Sequence, residues 1–316
     1  MSCDNLIIKE MRRFMLLLAI CQLAFSAFAQ NHPVSWEFSS KQTGPLTYEV
    51  KYQAEVKAPY HIYPQGRGGG MGMPTEFLFE PNDNVEFSSE LLERGVEQHD
   101  GEHLSHYAKG VTFTHTLKLR SEKKTTLAFT IKYMACTNQM CLPPSKKQFT
   151  LELGSPAQNA VALKSDDPAD LSRKGTISFQ YEDFVMPDVE GKEISSKDIT
   201  SKSKYTFIDF WASWCSPCRS QGRELIPIYQ NYKPKGFDVI AISLDTDVKV
   251  WKKAIQADGY AWVNLSDLKG FDSALSKRYH ITAIPRNLLI DQKGNIVAID
   301  IHGKELEAKL AELFKI

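Results

Sequence analysis

The chain is predicted to fold as an antiparallel β-sandwich followed by an α/β layer with one antiparallel element. Three observations predict it. Apolar and polar residues alternate with period two between about residues 34 and 153. From about residue 176 the pattern changes to continuous apolar runs and helical periodicity. A stretch dominated by Ser, Pro, Ala, Asp and Lys separates the two. The length of 316 residues fits about two domains at roughly 100–200 residues each.

Residues 1–29 read as a cleavable export signal. Arg12 and Arg13 form the charged region, 14–25 the apolar region, and Ala27-Phe28-Ala29 the small-x-small site. The apolar run is shorter than the roughly 20 residues that span a bilayer. A retained anchor and lipidation at Cys21 are the alternatives; Ile20 is a poor residue before a lipidated cysteine. Export places the mature chain in an oxidising, periplasmic compartment. It leaves four cysteines in two close pairs, Cys136 with Cys141 and Cys215 with Cys218.

The first domain is expected over 30–154. Residues 45–57, 112–119, 126–133 and 148–153 alternate as half-buried strands, with breaks such as 121–124, and no helix is expected there. The linker is read over 155–175, with an end-to-end distance of about 25 Å as a flexible chain. A short stretch near Val161 could pack locally. The second domain is expected over 176–316. Its runs 205–210 and 237–244 are apolar throughout, as for strands covered on both faces. Leu225, Ile228, Tyr229 and Tyr232 fall on one helical face. Helices are also predicted over 248–257 and 271–279, a strand–turn–strand over 287–300, and a closing helix over 304–314.

Composition excludes some functions. Lys+Arg and Asp+Glu are both 38, so no basic excess favours nucleic acid. The glycine-rich stretch 66–72 fits no phosphate-loop spacing and reads as a surface loop. His61, His103, His106 and His280 lack metal-ligand spacing and read as solvated loop residues. Neither a metal nor a cofactor is expected.

The cysteines carry the chemistry. Trp214-Cys215-Ser216-Pro217-Cys218 lies between a buried strand and an amphipathic helix. There Cys215 meets the orphan N–H groups and macrodipole of the helix N-terminus, which favour thiolate, the attacking species. Cys218, one turn on, is placed to resolve a mixed disulfide. A zinc site would need a second CxxC at suitable spacing, and none is present. Asp209 is a lone acid in the strand leading to the motif; burial would raise its pKa and suit it to take the resolving thiol's proton. Ile284-Pro285 precedes a strand, and a cis bond there would present the Ile284 backbone to an extended substrate. Trp214 and Ile284 are the candidate substrate-binding residues. The Cys136–Cys141 pair lies on a hairpin loop, where a disulfide can close, either as a structural staple or as a second redox pair.

Residues 205–218 and 279–291, together with the segment 184–194, resemble the thioredoxin fold, specifically the TlpA/ResA-type periplasmic thiol–disulfide oxidoreductases. The resemblance spans about 176–316. It implies Cys215 as nucleophile, Cys218 as resolving thiol and Pro285 as cis-proline, while Asp209 matches the buried acid of thioredoxins. Gln221, Arg223 and Arg286 depart from residues common in that family. The segment Tyr133-x-x-Cys136 with Cys141-x-Pro143-Pro144, and Tyr60-His61-Ile62-Tyr63, resemble the amino-terminal, immunoglobulin-like domain of the DsbD electron-transfer proteins. That likeness implies that Cys136 and Cys141 are redox-active, with 99–107 as the counterpart of a cap loop.

The function expected is therefore that of an exported protein-disulfide reductase, with electrons relayed between the two pairs. Its partners would be disulfide-containing secreted or periplasmic proteins and a membrane electron donor of DsbD/CcdA type. The rivals are a non-enzymatic binding protein on a thioredoxin scaffold and a peroxiredoxin-like peroxidase. The latter is disfavoured because no Pro-x3-Thr-x2-Cys motif occurs. Catalysis of this kind requires the Cys215 sulfur to be accessible.

Overall fold

The structure, a computed structural model, describes residues 32–66, 72–99, 105–153, 161–162 and 181–315. The expected export signal and most of the expected linker lie outside the described residues. Among the described residues, no helix is long and apolar enough to cross a membrane.

The amino-terminal part is built from β1 (Val34–Gly44), β2 (Thr47–Val56), β3 (Glu76–Phe79), β4 (Val85–Phe87), β5 (Leu92–His99), β6 (Ser105–Leu119), β7 (Thr125–Tyr133), β8 (Ser145–Leu153) and β9 (Val161–Ala162). One sheet runs β1-β2-β6-β4 with β5 also on β6; the other runs β3-β7-β8-β9. All pairings are antiparallel. Alternation creates the core. In β2, Tyr48, Val50, Tyr52, Ala54 and Val56 are buried while Lys51, Gln53 and Glu55 are exposed. The two sheets face each other, as ring pairs show: Phe38–Phe129 at 5.2 Å, Tyr52–Phe77 at 5.1 Å and Phe77–Phe113 at 4.9 Å. Each such pair adds about 0.5–1.5 kcal/mol beyond area burial. Val161 and Ala162, inside the stretch read as linker, extend the second sheet by pairing with Thr150 and Phe149.

The carboxy-terminal part opens with a hairpin of β10 (Val185–Pro187) and β11 (Glu193–Ser195), then a one-turn helix α1 (Lys197–Thr200). The main sheet has the order β14-β13-β12-β15-β16. Strands β12 (Tyr205–Trp211), β13 (Phe237–Ser243) and β14 (Val263–Leu265) are parallel. β15 (Arg286–Asp291) is antiparallel to β12, and β16 (Ile296–Ile299) to β15. With helices α2 (Ser216–Tyr232), α3 (Val248–Asp258), α4 (Ala274–Arg278) and α5 (Gly303–Phe314), this is the thioredoxin fold. The face of α2 predicted from periodicity is the one buried, through Leu225, Ile228 and Tyr232, with Tyr229 half-buried. α2 runs through Pro227. The expected helix 271–279 is shorter. A 3-10 turn at Gly270–Asp272 is followed by Ser273 with ψ 137°, so the α-helix starts only at Ala274.

The described residues from Pro33 to Ala162 and from Tyr181 to Lys315 belong to one compact unit.

Candidate redox site

β12 carries the chain from the sheet centre to the Cys215 loop, and α2 begins there. Cys215 is the N-cap of α2, extended at φ −86°, ψ 98°. Its sulfur accepts from the Cys218 N–H at 3.3 Å. Capping side chains usually offer oxygen to these orphan donors; a thiolate would receive the same donor. Cys215 and Cys218 are joined as a disulfide with Cα atoms 5.3 Å apart.

Buried polar groups hold the preceding loop. The Ser213 N–H and hydroxyl donate to Asp245 at 2.9 and 2.6 Å, and Ser243 donates to it at 2.7 Å. Burial raises the Asp245 pKa against the lowering effect of these bonds. Arg219, next to Cys218, makes a two-pronged contact with Asp258 at 2.6 and 2.9 Å. Sequence reasoning missed all five residues of this frame. The available signal was Asp245, an acid just past the end of a buried parallel strand neighbouring β12.

Asp209 lies mid-strand in β12, opposite Ala241 and Asn287. Desolvation pushes its carboxyl up to about 7. The residue as a whole keeps intermediate exposure, but the protein density around the carboxyl governs its proton. The Ile284–Pro285 bond is cis, and the next residue, Arg286, pairs with Asp300 at 3.0 Å.

The second pair lies beside the first. Cys136 and Cys141 form a disulfide with Cα atoms 4.1 Å apart. Cys141 donates its N–H to the Ile284 carbonyl at 2.7 Å and accepts from the Ile284 N–H at 3.2 Å. This is a hydrogen-bonded antiparallel pair between the hairpin and the residue before the cis-proline. On the other side of the motif, the Gly72 N–H donates to the Trp214 carbonyl at 3.0 Å. Cys136, Cys141, Tyr63 and Met134 join the buried cluster containing Cys215, Cys218 and Ile284. Ala283, conversely, joins the core of the sandwich. The structure thus brings seven of the eight candidate residues together around these two segments, and Asp209 lies in the strand beneath.

Three expectations need correction. Cys215, expected to be accessible, is 0% exposed, and Cys218 is 2% exposed, covered where the Gly72 segment pairs with Trp214 and the Cys141 segment with Ile284. The 66–72 stretch is not a bland surface loop at its end. Gly72 is buried at φ +80°, and a Cβ there would meet the Tyr63 ring at 2.6 Å, so only glycine fits this approach. His61 and His106 are buried at 4% and 7%, not solvated. His61 pairs with Cys136 and His106 lies in β6. His103 and the middle of the expected cap segment lie outside the described residues, and the ends of that segment are strands.

The AhpC/TSA family model matches residues 177–299. Thiol-disulfide oxidoreductase ResA of Bacillus thuringiensis subsp. konkukian (strain 97-27) is 34% identical over 143 residues, covering 45% of this chain and 79% of that protein. Sporulation thiol-disulfide oxidoreductase A of Bacillus subtilis (strain 168) is 30% identical over 116 residues, covering 36% of this chain and 67% of that protein. A solved structure described as a thiol-disulfide oxidoreductase from Bacteroides fragilis NCTC 9343 has 34% identity and TM-score 0.39, with 43% of this chain and 99% of that chain covered.

Proposed function

The chain belongs to the thiol–disulfide oxidoreductase family of its ResA relatives, and on that premise we propose that it is an exported protein-disulfide reductase whose two cysteine pairs exchange electrons. The observation that carries the relay is the backbone pairing of Cys141 with Ile284 in both directions. An extended segment bearing a disulfide is added as a strand beside the cis-proline, which is how a peptide substrate would be held by an exposed strand edge. The sandwich, resembling the immunoglobulin-like DsbD amino-terminal domain, thereby presents its own disulfide to the thioredoxin-fold motif.

Cys215 thiolate attacks Cys141 Sγ. The Cys141–Cys136 bond breaks, Cys136 leaves as thiolate, and a Cys215–Cys141 bond forms. Cys218 then loses its proton to Asp209 and attacks Cys215 Sγ, releasing Cys141. Two electrons pass from the Cys215/Cys218 dithiol to the Cys136–Cys141 disulfide; the exchange is reversible, and the two potentials set its direction. Toward an outside disulfide protein, Cys215 acts the same way once the hairpin has withdrawn, with Trp214 and Ile284 contacting the incoming strand. A membrane dithiol of DsbD/CcdA type would return the electrons.

The enzyme family argues against a non-enzymatic binding protein. The AhpC/TSA match covers the same thioredoxin-fold region, but the peroxidase motif is absent.

The test replaces Cys136 and Cys141 together with Ser and follows reduction of a protein disulfide by the full chain, driven by a biological dithiol donor. A relay requires turnover to fall by about tenfold or more. Unchanged turnover with the same donor leaves the first pair as a staple.

A further inference from the structure

The Cys136–Cys141 disulfide lies in a row of directly opposed residues. His61 and Cys136 exchange both backbone hydrogen bonds, at 2.8 and 3.0 Å. Cys136 opposes Cys141, and Cys141 opposes Ile284. Residues opposite one another in antiparallel pairing project to the same face, with Cβ atoms about 4.5–5.5 Å apart. The His61 side chain therefore neighbours Cys136, whereas Cys141 is the cysteine paired with Ile284. Beside His61 stands a second buried imidazole. The His61 and His106 rings have centroids 4.2 Å apart at an interplanar angle of 35°. The Tyr63 hydroxyl lies 3.3 Å from His61 Nε2.

A leaving thiolate in such a buried position needs a proton, and imidazole is the side chain whose ordinary pKa suits that task near neutrality. Other titratable groups lie on the described flanking segments. Tyr63 is on the histidine's own segment, and Tyr107 is beside His106 on β6, with the Glu97 carboxylate of β5 accepting from its hydroxyl at 3.5 Å. Tyr133 precedes Cys136 on the hairpin.

We propose that His61 is the proton donor and acceptor of the Cys136–Cys141 site, with His106 as its positioning residue. This rests on the redox reading of that pair. When Cys215 attacks Cys141, the electron pair of the broken bond goes to Cys136 Sγ. The His61 imidazolium gives its proton to that sulfur and becomes neutral. In the reverse direction neutral His61 takes the Cys136 proton, and Cys136 thiolate attacks the Cys215–Cys141 mixed disulfide at Cys141.

The test mixes the full chain, both pairs oxidised, with dithiothreitol, quenches with acid, and alkylates. Peptide masses read each pair separately from pH 5 to 9. In the parent chain, reduction of Cys136–Cys141 should show an inflection between pH 5 and 8. His61→Gln should slow it by about 10²-fold near neutrality and remove the inflection, while its far-UV circular dichroism matches the parent's, which reports that the variant is folded. His106→Gln should shift the inflection and slow the step less. If the pair is reduced in the parent chain but His61→Gln retains the same profile, this inference is overturned and the relay stands. If the pair stays oxidised in the parent chain while Cys215–Cys218 turns over, the relay itself falls and the proton pair with it.

Discussion

Cys215→Ser should lower protein-disulfide reductase turnover on the order of 10⁴-fold or more, with the chain still folded. The reason is the position of the sulfur. It caps α2 and accepts from the Cys218 N–H, so charge developing there meets donors that need no reorganisation. A serine hydroxyl can take the same cap but cannot form or break a disulfide. Cys218→Ser should behave differently: the first attack proceeds, the resolving step is lost, and mixed disulfides accumulate. Measured turnover on a reduced-thiol readout, together with mass analysis of trapped adducts, checks both. Equal residual activity in the two variants would contradict the assignment of nucleophile and resolver.

Asp209→Asn should stabilise the oxidised protein at pH 8 and not at pH 4. Burial raises this carboxyl to about 7 from 3.8. Below about pH 4 it is protonated in folded and unfolded chains alike, and it costs nothing. As pH rises toward 7, the unfolded chain ionises first, so folding is progressively penalised. Above 7 the full penalty applies, on the order of 3 kcal/mol after allowing for partial exposure. Asparagine removes it. Urea unfolding at the two pH values is the check, and equal stabilisation at both would contradict a buried, titrating acid. The same variant should slow the resolving step by about 10²-fold.

Much of this was legible in the sequence because it follows local periodicity. The α2 face, the runs of β12 and β13, and the alternation in β2 and β6 to β8 each reflect a fixed repeat meeting a buried surface. The short strands β3 and β4 have too few residues to show a period, and Ser273 interrupts a helix whose apolar pattern continues through it. The CxxC motif was legible because its spacing is itself the chemistry. The Ser213–Asp245 and Arg219–Asp258 contacts were not, since each joins residues more than 30 positions apart with no repeat to announce them. The burial of Cys215 was missed for the same reason. It depends on Gly72 and Cys141, which lie in the amino-terminal part, far from the motif in sequence, and meet Trp214 and Ile284 through backbone hydrogen bonds and packing. Glycine at 72 read as part of a surface loop, whereas the structure uses its missing Cβ against Tyr63.

The most direct measurement concerns whether Cys141 and Cys215 meet. In a chain carrying Cys136→Ser and Cys218→Ser, only those two thiols remain from the two pairs. Oxidised glutathione can accept the two electrons that joining them releases. The relay predicts a Cys141–Cys215 disulfide within one molecule, formed in high yield, independent of protein concentration, and identified as a single cross-linked peptide. Two separately glutathionylated cysteines, with no cross-linked peptide, would contradict it.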